Sequence, residues 1–459
     1  MKLWPWSRAS RRAAEPGPTS ARAAAAPRAA SEPKAAASAR GGSAEPSRWR
    51  RAGRLLLGRG LERSPRQIDV VLAAVVIGLV GFGIVMVYSA SSFEATVRFH
   101  DAQYFLKRQA LYGVLALAVM WLVSRIDYHR LRRLTYPLLV VVVGMLGATV
   151  AGLGHRAGNA YRWLSVGPIN IQPSEVAKVA LVLWLAYSLS KKGERVREFW
   201  VGVMPHLLVV AMLMALCLKQ PDFGSAVVLL LIAFTMMFAS GVRLPYIASL
   251  LALFAVSAAA LVRFSGYRYA RFMSWLDLEQ HKEGLAYQPF QSVMSFGSGG
   301  VFGLGLGRGL QVLYLPEAHN DFIAAIVGEE LGFVGVCAMC AAYALMVARG
   351  VKIAFEATDD YGSYVAFGLS AMVGIQVLTN LAVAMAILPT KGLTLPFVSY
   401  GGSSLLVSAA AVGVLLNISR PRPATRPAAA SPADAGKRGP EPSASAVVAT
   451  SAEEGTPGW

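Results

Sequence analysis

The residues of this sequence best suited to chemistry fall in three segments. The first is Pro316-Glu317-Ala318-His319-Asn320-Asp321-Phe322, which leads straight into an apolar helix carrying Glu329 and Glu330 two turns on. It is a set suited to acid–base work, centred on Asp321. An Asp at a helix start needs no function, because it can cap the backbone amides and favour the dipole. The neighbours argue for more: Glu317 and His319 lie within four residues, and carboxylates inside a membrane usually face a polar cavity and mark function. The second segment holds His155-Arg156, Tyr161-Arg162-Trp163 and Gln172-Pro173-Ser174-Glu175 with Lys178. Ser174 suits an N-cap, Glu175 and Lys178 are spaced to pair on a helix, and Trp163 suits a membrane interface as well as a site. The third, Leu388 to Ser404, carries Lys391 and Ser403 among two prolines and three glycines. It cannot form a regular helix, yet is apolar enough for a re-entrant element. Gln376 and Asn380, just before it, share one helical face and can join helices by hydrogen bonds.

The elements that must position these residues are membrane spans. Of 459 residues only 15% are charged and 55% are apolar, against about 25% charged in soluble domains. The apolar residues fall in blocks long enough to cross about 30 Å of hydrocarbon. Ten spans are expected, near 68–90, 107–124, 134–153, 174–190, 203–219, 224–240, 245–263, 321–348, 361–388 and 403–419. The fold class is thus an all-α polytopic membrane protein of about ten transmembrane helices. Basic residues cluster on alternate connections, including Arg130, Arg132, Arg133, Lys191, Lys192, Arg195 and Arg197. By the positive-inside rule those face the cytoplasm, as do both termini, and the three chemical segments face outward. A long extracytoplasmic loop, 264–320, joins helices 7 and 8; loops of that length are usually functional. It contains Tyr287-Gln288 and a glycine run from Gly297 to Gly309. No strand precedes that run and the dinucleotide spacing is absent, so close backbone packing or re-entry beside protein is expected.

Flanking arms complete the organisation. Residues 1–66 are an Ala/Arg/Pro/Ser-rich arm with fifteen Lys/Arg against four Asp/Glu, which accounts for most of the net charge of +18. Its composition predicts disorder. Without interleaved aromatics or a recognition motif it points to lipid headgroups and no nucleic acid. Residues 420–459 read the same way, leaving 67–419 as the membrane domain. No cleavable signal peptide is evident, so the first span is an uncleaved anchor. Cys337-x-x-Cys340 lies in an apolar helix with no second Cys/His pair, and packing explains it.

Arg162-Trp163 through Lys178, Pro316–Phe322 with Gly328-Glu329-Glu330-Leu331-Gly332 behind it, and Leu388–Ser404 together resemble the SEDS family (shape, elongation, division and sporulation proteins) in order and spacing, over roughly residues 68–419. The wording at 388–396 and at Tyr314–His319 resembles its cell-division members; Asn320 stands where the family usually has Thr. The resemblance implies an inverting peptidoglycan glycosyltransferase that polymerises lipid II into β-1,4-linked glycan outside the cytoplasmic membrane, at the division septum. The alternatives are a lipid II flippase, a non-catalytic scaffold and an elongation-type polymerase. By motif Asp321 matches the family's essential aspartate and would serve as general base. Trp163 matches a functional tryptophan, and Glu175 with Lys178 an acidic–basic pair near the cavity. Arg156, Arg162, Lys178 and Lys391 could hold the pyrophosphate, joined by a divalent cation (Mg or Mn) whose ligands the sequence does not name. Glu317, His319, Gln288 and Ser403 complete the expected substrate-binding set. A division-specific penicillin-binding transpeptidase and other division proteins are the implied partners.

Overall fold

The computed structural model describes residues 68–157, 160–167 and 169–420; the two arms lie outside them. Twelve α-helices follow one another: α1 Val70–Phe99, α2 Tyr104–Arg125, α3 Tyr128–Val150, α4 Pro173–Lys192, α5 Met204–Lys219, α6 Phe223–Ser240, α7 Leu244–Arg263, α8 Gly266–Leu276, α9 Tyr287–Gly299, α10 Ile323–Glu356, α11 Asp360–Ala384 and α12 Gly402–Ser419. Among the described residues nine helical stretches are long and apolar enough to cross a membrane. The tenth expected span, α4, has 20 residues, about 30 Å of helix. It falls outside that set because it places Glu175 and Lys178 inside a span.

Packing sorts the helices. α4, α6, α11 and α12 surround the core and bury residues on most of their faces. No residue of α7 is buried, so its apolar surface is left for lipid. Asp69 caps α1 through Leu72 N–H and binds Arg349 of α10 at 2.8 Å.

Two connections are more structured than the sequence suggests. Residues 155–171 form a three-stranded antiparallel sheet, β1 His155–Ala157, β2 Ala160–Val166 and β3 Ile169–Ile171, with Arg156 opposite Tyr161 and Leu164 opposite Ile171. Aromatic and β-branched residues at these positions favour strand. α4 then begins with Pro173 at its first position and Gln172 as its cap, so Ser174 is inside the helix and is not its N-cap. The 264–320 connection contains α8 and α9 and then the glycine run.

That run does insert beside protein. α10 is broken at Gly332 (φ 66°, ψ −164°), a conformation open essentially to glycine alone. Across the break, Leu304 and Gly305 N–H donate to the carbonyls of Glu329 and Glu330, while Phe333 and Val334 N–H donate to Gly300 and Val301. In an unbroken helix Phe333 and Val334 would have bonded Glu329 and Glu330 themselves. The glycine run thus exchanges bonds with the helix and takes up the two carbonyls and two amides that the break sets free, as an apolar environment requires. Gly303 has no room for a side chain, because a Cβ there would strike the Glu330 carbonyl.

Candidate active site

A cavity of about 770 Å³ opens between the β2 strand, the α5–α6 turn, α8, the start of α10 and the 389–392 segment. Asp321 sits in its wall, two residues before α10 begins. The helix cap is Phe322 and makes no side-chain cap, so Asp321 does not play the capping role its position allows. No described group donates a hydrogen bond to its carboxylate. Burial pushes its pKa up to about 7, Glu317 and Asp222 add to the rise, and Arg162 opposes it. The carboxyl therefore titrates near neutrality, where a general base is most useful.

What holds Asp321 is its backbone. Asn380 on α11 spends both amide hydrogens on carbonyls, donating to Asp321 at 3.0 Å and to Leu393 at 2.6 Å. Beside it, Tyr400 N–H donates to the His319 carbonyl at 2.9 Å. The 389–401 segment is irregular and carries the buried residues Leu393, Leu395, Phe397 and Val398. It is joined to the Asp321 loop directly at His319 and, through Asn380, at Asp321. Gly392 lies against the carboxylate itself: a Cβ there would stand 2.8 Å from Asp321 Oδ2.

Of the expected site residues, Arg162, Gln288 and Lys391 line this cavity with Asp321. Arg162 is fixed by donating Nε to Gln220 O (3.2 Å) and Nη2 to Pro221 O (2.6 Å). Lys391 Nζ lies 4.0 Å from the centre of the Phe223 ring, and burial lowers its pKa to about 8 against the opposing pull of Asp222. The other expected residues whose side chains are described lie outside the lining. Trp163 follows Arg162 on β2, on the opposite face of the strand. The side chain of Arg156 falls outside the described residues. Lys178 donates to Glu175 at 2.7 Å, and Ser404 links that buried pair to Thr394. Ser403 accepts from Gln172 N–H. Glu317, in a left-handed conformation (φ 56°), accepts the Asn320 side chain; Asn320 thereby closes the turn before Asp321. His319 is buried against Phe105 and Tyr400, with Nδ1 3.6 Å from Glu94. Burial lowers its pKa, against the pull of Glu94 and Glu317.

The expectation that Glu329 and Glu330 extend a polar cavity is corrected. Glu329 accepts Leu310 and Gln311 N–H, and Glu330 accepts Ser89 Oγ. Glu329 thus holds the chain just past the glycine run, and Glu330 holds the Ser89 hydroxyl that accepts Gly307 N–H. Three charged lining residues were missed: Asp222, Arg268 and Arg271. Asp222 caps α6 through Ser225 N–H with one oxygen, while the other is buried without a partner. The polar turn Gln220-Pro221-Asp222 was the available signal.

Fold and cavity together define a polytopic membrane protein whose polar site is built around one unsatisfied carboxyl and several cations. The model of a family of cell cycle proteins, the FtsW, RodA and SpoVE proteins, matches residues 70–423. The chain belongs to this family. It is similar to the probable peptidoglycan glycosyltransferase FtsW of Geobacter metallireducens, 44% identical over 353 residues that cover 76% of this chain and 94% of the relative. It is also similar to the stage V sporulation protein E of Bacillus subtilis, at 37% identity over 77% of this chain and 97% of that protein. Among solved structures it resembles a chain of a peptidoglycan synthase complex that coordinates polymerization and crosslinking (31% identity, TM-score 0.64, 77% of this chain and 97% of that one). Thermus thermophilus RodA is similar too (30%, TM-score 0.58, 77% and 96%).

Proposed function

We propose that this chain is a peptidoglycan glycosyltransferase that polymerises lipid II, the undecaprenyl-pyrophosphate-linked disaccharide-pentapeptide, at the outer face of the bacterial cytoplasmic membrane during division. Family membership supplies the reaction class. The observation that carries the site is the Asp321 carboxyl, held by its backbone and free of hydrogen-bond donors in a cation-lined cavity.

In the reaction the acceptor sugar's hydroxyl attacks the anomeric carbon of the donor. Its proton passes to Asp321, the new glycosidic C–O bond forms, and the bond to the pyrophosphate breaks with its electron pair leaving on oxygen. A single displacement on an α-linked donor gives the β-1,4 product with inversion, and no sugar–enzyme bond is needed. The leaving group is already an anion and calls for positive charge, which Arg162 and Lys391 provide on the same wall system as the base. Among the described residues no three metal-binding side chains cluster. Asp222, with its unpartnered buried oxygen, is the residue that would hold a divalent cation, since such ions are often bound by one or two carboxylates plus substrate phosphates. When bound, the cation would neutralise phosphate charge.

The outward placement of the site and the cytoplasmic placement of both termini follow from the basic residues on alternate connections. A single-pass, division-specific penicillin-binding transpeptidase and other division proteins are the expected partners. The test is polymerisation of purified lipid II by the protein with that transpeptidase, wild type against Asp321→Ala. Polymer from wild type alone is expected; full polymerisation by the variant would remove Asp321 from the mechanism. Labelled lipid II that crosses vesicles without new glycosidic bonds would instead favour transport.

A further inference from the structure

The Tyr128 end of α3 and the Lys192 end of α4 meet at the membrane face opposite the cavity. α3 is long enough to cross the bilayer, and its other end, Val150, runs into the sheet that bears Arg162. Near the Tyr128 end, Arg132 and Tyr136 are one turn apart on α3, and Tyr187 and Lys191 are one turn apart on α4, so each pair shares a helix face. The two tyrosine rings are in edge-to-face contact, with centres 5.7 Å apart. Arg132 lies over the Tyr187 ring at 5.6 Å and Lys191 at 5.4 Å. Lys191 Nζ also donates to Tyr187 Oη at 3.3 Å, and the phenol's own proton has no described acceptor.

One ring thus gathers two cations. A cation gains about 0.5–1 kcal/mol from an exposed aromatic face, which does not remove the repulsion between two of them. Neither has a carboxylate partner among the described residues. Their basic neighbours after α4 are satisfied: Arg195 pairs with Glu198 at 4.0 Å, Arg197 pairs with Glu194 at 3.4 Å, and Lys192 donates to Val201 O at 2.7 Å. Asp359, just before α11, is taken by the Tyr128 hydroxyl and Gly362 N–H. Three donors therefore converge on a place that calls for an anion. Inward from Arg132, the exposed face of α3 continues at one-turn spacing as Tyr136 and Val140, a track about 12 Å long. An anion site with an apolar track leading from it into the membrane has the chemistry of a phospholipid.

We propose that Arg132, Tyr187 and Lys191 form a binding site for one anionic glycerophospholipid, its phosphate between the two cations and an acyl chain along Tyr136 and Val140. Basic pockets between transmembrane helices recognise such headgroups. The site selects phosphatidylglycerol over phosphatidylethanolamine, because the ethanolamine ammonium would meet two cations and no described carboxylate. Binding of the lipid does not rest on the glycosyl-transfer proposal; the proposed orientation enters only in naming its leaflet as the cytoplasmic one.

The test is native mass spectrometry of the full chain, released from detergent micelles that contain added lipid. The first phosphatidylglycerol is expected to bind about tenfold more tightly than the first phosphatidylethanolamine. Arg132→Ala/Lys191→Ala should weaken phosphatidylglycerol about tenfold or more and abolish that preference. Arg195→Ala/Arg197→Ala removes the same charge from arginines that are already paired, and should bind as wild type does. Thermal unfolding without added lipid certifies that each variant is folded. Should the double alanine variant not fold, Lys191→Gln decides alone, with a several-fold loss expected. Wild-type affinity in the double alanine variant would overturn the site. Equal weakening in the paired-arginine control would overturn it too, by reducing it to the general positive field of that membrane face. So would phosphatidylethanolamine binding as tightly as phosphatidylglycerol, or glycerol 3-phosphate displacing the lipid at equal concentration, which would make this a site for free phosphate. Lipid binding that appears only when Asp434, Glu441, Glu453 and Glu454 are neutralised would give the site to the acidic residues of the tail instead.

Discussion

Asp321 and the pair Glu329–Glu330 lie within ten residues of one another, yet they live under opposite rules. The glutamates are buried and satisfied: backbone N–H groups reach Glu329 and the Ser89 hydroxyl reaches Glu330. Asp321 receives no described donor at its carboxylate, while its own backbone is clamped by Asn380. Polar groups in folded proteins are normally paired, so a fixed backbone with a free carboxyl is the arrangement that keeps a proton acceptor available. The glutamates hold structure; the aspartate is held by it.

Substitutions can break or sharpen this contrast. Asp321→Asn should lower lipid II turnover by about 10²- to 10⁴-fold with no loss of thermal stability, measured on the purified protein with the proposed transpeptidase partner. Asn380→Leu keeps the volume and removes the two donated bonds; turnover should fall about tenfold to a hundredfold through misplacement of the base. Its KM for lipid II should stay close to wild type, and a change confined to KM would contradict a positioning role. For Glu329→Ala the expectation reverses. Thermal unfolding should show about 1–3 kcal/mol of lost stability, with activity per folded molecule nearly intact.

The smallest effect concerns pH. Activity should rise as Asp321 loses its proton near 7 and fall as Lys391 loses its charge near 8, giving a narrow bell. Glu317→Gln removes a like charge from beside Asp321, so the rising limb should move to lower pH by a fraction of a unit. An upward shift in the pH–rate profile would show that Glu317 acts on Asp321 some other way.

The spans were legible because hydrocarbon imposes a minimum length of apolar residues, and Asp321 was legible because a charged motif at the mouth of such a span is costly. What the sequence hid was mostly non-local. Asp222, Arg268 and Arg271 reach the cavity from two connections, and only helix packing brings them to Asp321. The sheet at 155–171 was hidden by its very short strands. Glu329 and Glu330 were read as cavity walls because burial of a carboxylate says nothing of its partner. Their donors sit about twenty residues upstream or on α1, at distances no helical period reveals.

The break at Gly332 also fixes a length. A straight helix of 34 residues would run about 51 Å, far beyond a hydrocarbon layer of about 30 Å. Divided at the glycine, α10 becomes two rods. The second is long enough to cross by itself. The first, from Ile323 to Leu331, is a strut of about 13 Å with the Asp321 carboxyl just beyond its tip. Adding one residue to that strut would lift Asp321 by about 1.5 Å and swing it about 100° around the axis, away from Gly392 and Lys391. The register between the Asp321 carboxyl and the cavity is therefore set by how many residues separate Asp321 from one glycine.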